Sequence, residues 1–239
     1  MQIQNSVVVV TGASSGIGAA TARAFAAAGA RVVLAARREE RIRALALELG
    51  DAIAVRCDVT SQTDISTLAT AALDRFGRID VLVNNAGQGL QATVEQVSVS
   101  DFRDVLELNL VAPLAMMQAV LPSMRANGSG AVVNVSSGTT FADVPGTGGY
   151  VASKIALERL SAVARNELAG TGVTVSTVIP FATETEFLTS IKAGRSDAEA
   201  MTAGASFDDP RVVAEAIVDL VRTGEAWKDL VPAAYGGTH

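Results

Sequence analysis

Short runs rich in β-branched and small apolar residues recur along this chain, and a stretch of helix length separates most of them. Val7-Val-Val-Val10, Ala30 to Ala36, Ala52 to Arg56, Asp80 to Val83, Ala131 to Val135 and Gly172 to Ile179 read as strands. Between them lie helix-forming segments: Ala19 to Ala28, Arg38 to Leu49, a segment capped by Ser61-Gln-Thr-Asp64 that runs to Phe76, Asp101 to Met124, and Tyr150 to Ala169. Pro210 to Thr223 gives a further helix, and Leu230-Val231 is expected to add a short edge strand. Parallel neighbours need crossovers of this kind, so the alternation predicts βαβ units and a parallel sheet. In such sheets ligands collect beyond the carboxyl ends of the strands.

No Pro-rich, Ser-rich or charge-run linker interrupts the 239 residues, so one domain is expected over 1–239. Apolar residues make up 49% of the chain, yet no unbroken apolar run reaches the roughly 20 residues that span a bilayer. The N-terminus Met1-Gln-Ile-Gln lacks a basic start, and the expectation is a soluble cytoplasmic protein without a membrane partner. A net charge of -6 argues against general attraction to nucleic acid. Cys57 is the only cysteine and reads as a small buried residue. His239 is the only histidine, which excludes a Ser-His-Asp triad and argues against a His-ligated metal, so no metal site is expected. Proton chemistry must then use Tyr, Lys, carboxylates or water.

The first strand runs into Thr11-Gly12-Ala-Ser14-Ser15-Gly16-Ile17-Gly18 and then a helix. Glycines without Cβ atoms let backbone N–H groups approach a phosphate, the helix N-terminus adds donors and positive potential, and Ser14 and Ser15 add hydroxyls. The spacing is neither Gly-x-Gly-x-x-Gly nor a P-loop, and a tight strand–helix connection is the plain alternative. Where an NAD site would place a carboxylate after the second strand, the chain has Ala36 and then Arg37, which suits the 2′-phosphate of NADP. Alternatively, Arg37 and Arg38 simply begin a charged helix. Gly12, Arg37, Asp58 and Asn85 all follow strand ends and can converge on one ligand.

Asn109 interrupts an apolar helix, with Pro113 expected to kink the helix just after it. Tyr150 and Lys154 share a helix face. Their ordinary pKa values, about 10 and about 10.4, make neither useful alone near neutrality. A fixed cation lowers a neighbouring phenol and makes the pair a proton donor and acceptor. The glycine turn, Asn84-Asn85-Ala86-Gly87, Asn109, Ser137 and Tyr150-Val-Ala-Ser-Lys154 occur in the order found in the short-chain dehydrogenase/reductase superfamily. The chain resembles that family to about Thr185.

The resemblance implies a Rossmann-like, doubly wound α/β fold with helices on both faces of the parallel sheet. It implies hydride transfer between a nicotinamide and a carbonyl or secondary alcohol. Tyr150 would exchange the proton, Ser137 would hold the substrate oxygen, and Lys154 would tune Tyr150 and hold the nicotinamide ribose. Asn109 would anchor a water behind Lys154. Strand alternation turns Ser136 the other way from Ser137. With NADP(H) as cofactor, the binding set would be Gly12, Ser14, Ser15, Gly16, Ile17, Gly18, Arg37, Asp58, Val59, Asn85, Ala86, Gly87, Tyr150, Lys154, Pro180, Thr183 and Thr185.

Phe181 stands where the family's Pro-Gly segment has glycine, and it must wall the substrate pocket, alter the loop, or pack outward. A substrate lid is expected over about 183–209, with Phe187, Leu188, Ile191, Met201 and Phe207 as an amphipathic cover or as ordinary helix core. Leu90, Phe141, Val144 and Phe181 favour an uncharged ketone or aldehyde. An acyl-carrier 3-oxoacyl reductase and a non-catalytic nucleotide-sensing scaffold are the alternatives. The family further implies a homodimer or homotetramer through the long helices.

Overall fold

The structure is a computed structural model that describes residues 1–201 and 206–239; residues 202–205 and the side chain of Met201 lie outside the described residues. In chain order the strands and helices are β1 (Val7–Thr11), α1 (Gly16–Ala27), β2 (Arg31–Ala36), α2 (Glu39–Leu49), β3 (Ala52–Arg56) and α3 (Gln62–Phe76). They continue with β4 (Val81–Asn84), α4 (Val99–Leu106), α5 (Ala112–Ala126), β5 (Gly130–Val135) and α6 (Gly148–Glu167). The last are β6 (Val173–Ile179), α7 (Arg195–Met201), α8 (Pro210–Thr223) and β7 (Trp227–Asp229).

The strands form one parallel sheet in the order β3-β2-β1-β4-β5-β6-β7. This is the doubly wound architecture expected. The uninterrupted valines of β1 are explained by burial on both faces. Val8 and Val10 pack with Phe25 of α1 and Ile217 of α8, whereas Val7 and Val9 pack with Ile65 and Leu68 of α3 and Met116 of α5. Strand order reverses between β1 and β4, and a parallel sheet opens its ligand crevice at that switch point.

The long helix expected over Asp101–Met124 is divided. A π-helical turn, Glu107–Val111, separates α4 from α5, and the Ala112 N–H reaches back to the Glu107 carbonyl. Pro113 accounts for it. Its ring cannot donate to the Asn109 carbonyl and crowds it, so the disruption falls before the proline rather than after it. The stretch Val99–Ala126 is long and apolar enough by length and composition to cross a membrane. Its inner side, with Val105, Met116, Met117, Val120 and Met124, is nevertheless buried in the protein interior.

The final strand is β7 at Trp227–Asp229 rather than Leu230-Val231. Asp229 anchors the C-terminal segment by accepting the Val231 N–H (3.2 Å), the Thr238 N–H (3.0 Å) and the Thr238 hydroxyl (2.6 Å).

Candidate active site

The crevice begins where β1 and β4 end. Thr11 Oγ1 donates to the Val83 carbonyl at 3.2 Å and accepts the N–H groups of Asn85 (3.0 Å) and Ala86 (3.1 Å). Asn85 Nδ2 donates in turn to the carbonyls of Thr11 (2.9 Å) and Gly12 (3.4 Å). The turn after β1 and the loop after β4 are therefore stitched together, and Asn85 spends its amide on the chain itself. Gly12 sits at φ +65°, and a Cβ there would lie 2.8 Å from Asn85 Nδ2. A Cβ on Gly18 would overlap the Gly12 carbonyl oxygen. These two glycines serve the close approach of backbone to backbone before any approach to phosphate, and Gly18 does not line the crevice.

The crevice encloses roughly 1150 Å³. Gly12, Ser14, Ser15, Gly16, Ile17, Arg37, Asp58, Val59, Ala86 and Gly87 line its first half, with Asn85. Ser15 stands at the N-cap position of α1, but its side chain accepts no hydrogen bond from the helix backbone, and the first turn carries no acidic residue. That leaves the helix N-terminal donors and its positive end for an anion, which fits a dinucleotide diphosphate. Asp58 is held below the usual carboxylate range: burial opposes this, but hydrogen bonds from Thr60 and the positive charges of Arg37 and Arg56 prevail. Arg37 is exposed, and its side chain makes no hydrogen bond or ion pair among the described residues. Its neighbour Arg38, which sequence reasoning did not assign, reaches back over the turn to Ser14 Oγ (2.8 Å) and Ser15 Oγ (2.6 Å).

Ser137, Tyr150 and Lys154 line the deeper part. Tyr150 is buried between Leu90 and Val105, with the Phe187 ring 5.6 Å from its own. Burial pushes its phenol up to about 12, against the opposing pull of a hydrogen bond to Ser137. Lys154 lies beneath, its Nζ 5.9 Å from the Tyr150 ring centroid and donating to the Val135 carbonyl at 2.9 Å. Burial lowers Lys154 to about 8, while the Glu158 charge works in the opposite direction. The lowered tyrosine expected from the sequence is thus not what this arrangement gives, because desolvation outweighs the hydrogen bond to Ser137. Ser137 Oγ is 2.9 Å from Thr139 Oγ1, whereas Ser136 turns away to donate to Glu158 at 2.5 Å.

Asn109 sits in the π turn, fully buried and outside the crevice lining. Its Oδ1 accepts the Gln88 N–H (2.9 Å), and its Nδ2 donates to the Gln88 carbonyl (2.9 Å) and to Ser153 Oγ (3.0 Å). Its amide N–H groups are satisfied by protein, which leaves only an acceptor lone pair for a water.

Beyond Ser137 the walls are mainly apolar, with Gln91, Thr139 and Thr147 among them, and Phe141, expected there, is not part of the lining. Phe181 packs on Tyr235 with ring centroids 5.0 Å apart, and both line the crevice, so Phe181 is a wall and the C-terminal segment completes it. Pro180, Thr183, Thr185, Phe187, Leu188, Ile191 and Phe207 also line it. Thr183 and Thr185 spend their hydroxyls locally, donating to the Phe181 carbonyl (2.9 Å) and accepting the Phe187 N–H (3.2 Å). The segment expected as a lid contains a 3-10 turn at Glu186–Ser190 followed by α7, and Thr183 pairs with Asp208 across its two ends. Met201, proposed for the cover, has its side chain outside the described residues.

Residues 6–196 match the family model of the short chain dehydrogenases. The chain belongs to this family. D-threitol dehydrogenase of Mycolicibacterium smegmatis is 39% identical over 189 residues, covering 77% of this chain and 73% of that protein. Among solved structures, a short chain dehydrogenase/reductase from Burkholderia phymatum in complex with NAD matches with a TM-score of 0.92 at 25% identity, covering 99% of this chain and 92% of that one. An alcohol dehydrogenase from the archaeon Thermococcus sibiricus, complexed with 5-hydroxy-NADP, matches with a TM-score of 0.83 at 28% identity over 99% of this chain and 100% of its own. This short-chain dehydrogenase is an oxidoreductase with the Rossmann-like fold of its family.

Proposed function

We propose that the protein uses NADP(H) to reduce an uncharged, apolar ketone or aldehyde, or to oxidise the corresponding secondary alcohol. The observation that carries this reading is one continuous crevice that runs from the uncapped start of α1 to the buried Tyr150 phenol. The related proteins in complex with NAD and with 5-hydroxy-NADP support a nicotinamide. Ala36 followed by the unpaired Arg37 supports the phosphorylated form.

When bound, the nicotinamide supplies or accepts the hydride. The remaining work belongs to the chain. Ser137 Oγ holds the carbonyl oxygen in line, and Tyr150 Oη gives its proton to the alkoxide as negative charge develops there. A phenol held near 12 stays protonated through the neutral range, so it is ready to act as the acid in the reductive direction. Lys154, anchored by Val135, is still largely cationic at neutral pH and stabilises the phenolate left after transfer. Asn109 fixes Gln88 and the Gly87 backbone against Lys154, a positioning role. On the substrate side, Leu90, Val144, Phe181, Phe187 and Tyr235 exclude water without offering a cation for a carboxylate.

Apolar side chains exposed on α5 and α6, Leu114 with Ile155 and Val163, and Val111 in the π turn suit a homo-oligomeric contact through these helices. Incubation of the purified protein with NADPH and a panel of uncharged ketones and aldehydes tests the reading. NADPH consumption with formation of alcohol is expected. Tight NADPH binding without consumption across the panel would instead indicate a nucleotide-sensing scaffold.

A further inference from the structure

Arg37 and Arg38 are adjacent at the end of β2, yet they are in opposite situations. Arg37 lines the crevice without an ion pair among the described residues, whereas the Arg38 guanidinium is engaged along its whole edge. Its Nε and Nη2 lie 3.0 and 2.8 Å from Ser14 Oγ, Nη2 also reaches Ser15 Oγ at 2.6 Å, and Nη1 meets Glu186 Oε2 at 2.6 Å. Arg41, one turn along α2, places its Nη1 2.8 Å from both oxygens of the same carboxylate. Glu186 opens the lid turn, far along the chain from β2. Two arginines thus draw one carboxylate across the mouth of the phosphate-binding turn. They hold it at about 2, well below the ordinary range, through hydrogen bonds and charge that outweigh the small desolvation.

We propose that Glu186 is a specificity-determining residue for the cofactor, an internal anion that occupies Arg38 and must yield it to the 2′-phosphate of NADPH. The inference rests on the nicotinamide reading above and deepens it. A phosphate monoester presents the same kind of oxygen acceptors to a guanidinium as a carboxylate does, and it is close to a dianion at neutral pH. Glu186 and the phosphate therefore compete for the same donors and repel one another. NADH has a hydroxyl at that position and brings no second anion, so it has no comparable conflict with the carboxylate. Glu186 should consequently weaken NADPH while leaving NADH nearly untouched, and it narrows the preference that Arg37 creates. The side chains of Arg38, Arg41 and Glu186 are each about half exposed, which keeps the effect moderate and salt-sensitive.

The test is a fluorescence titration of NADPH and of NADH against the intact protein, without substrate, for the wild type, Glu186→Gln, Arg38→Ala and the double variant. Glu186→Gln is expected to tighten NADPH by about fivefold, the size of an exposed charge contact, and to move NADH by less than about twofold. The selective gain should vanish in the Arg38→Ala background and shrink at high salt. Glu186→Ala, which removes the acceptor altogether, must change NADPH affinity in the same direction. Unchanged NADPH affinity in Glu186→Gln, an equal gain for both cofactors, or a gain that persists without Arg38 would each overturn the inference. A separate arm uses Arg37→Ala. If that change left NADPH affinity unaltered, the NADP reading would fail there, while the Glu186 arm would still report on Arg38.

Discussion

The β1–β4 end of the crevice is framed by close-packed backbone: Thr11 and Asn85 stitch two loops together, and Gly12 in the wall and Gly18 behind it leave no room for a side chain. At the Phe181 end the walls are side chains carried by segments distant in the sequence, with Phe181 against Tyr235 and Phe187 against Tyr150. The segment carrying Tyr235 is held from outside the crevice, by the Asp229–Thr238 bonds. A backbone-built end binds the part of the ligand that never varies, and a side-chain-built end can change with the substrate at little cost to the fold.

Chemistry at the substrate end should depend most on one atom. Tyr150→Phe is expected to lower kcat by about 10²–10⁴-fold, the usual worth of a positioned proton donor, with little change in NADPH affinity. Steady-state turnover beside a binding titration checks both halves, and undiminished turnover would refute the role. At the backbone end, Gly18→Ala forces a methyl group onto the Gly12 carbonyl. It is expected to cost about 1–3 kcal/mol, a fall in Tm of roughly 3–10 °C by calorimetry. A variant as stable as the wild type would show that this turn can give way as the other end can.

Lys154 sits between the two ends and carries a pH signature. Its folded pKa is depressed to about 8 from an ordinary 10.5, so between these values the unfolded chain holds a proton that the folded chain has released. Stability of the wild type relative to Lys154→Met should therefore rise with pH, by up to about 1.4 kcal/mol per pH unit. The clean window is about pH 8 to 10, between these two values. Above it Tyr150, raised to about 12, acts in the opposite direction, because the unfolded phenol ionises first. Denaturant unfolding of both proteins across that window checks the slope, and parallel curves would show that Lys154 is not desolvated as described.

Legibility in the sequence followed the same division. Strands β1, β2, β4 and β5 were readable because burial on both faces demands near-continuous apolar runs, and the edge strand β3 and strand β6 from their apolar and β-branched residues, while β7 was displaced because its own residues, Trp227-Lys-Asp229, carry an exposed tryptophan and a buried carboxylate. The order of Gly12, Asn85, Ser137, Tyr150 and Lys154 pointed to the family. What their side chains touch was not readable: Asn85 serves Thr11, and Asn109 serves Gln88 and Ser153. Pro113 was visible, but the π turn it imposes falls upstream, where the lost carbonyl partner lies. Arg38 with Glu186, and Phe181 with Tyr235, depend on contacts between distant segments that no local pattern encodes.

The most direct test of the central claim tracks the hydride itself. NADPH carrying deuterium in turn on each face of C4 would be given to the wild-type protein with a ketone that it consumes, and the alcohol examined by mass spectrometry. One of the two labelled forms is expected to deliver deuterium to the former carbonyl carbon, one atom per alcohol formed. Alcohol free of deuterium from both forms would contradict the account.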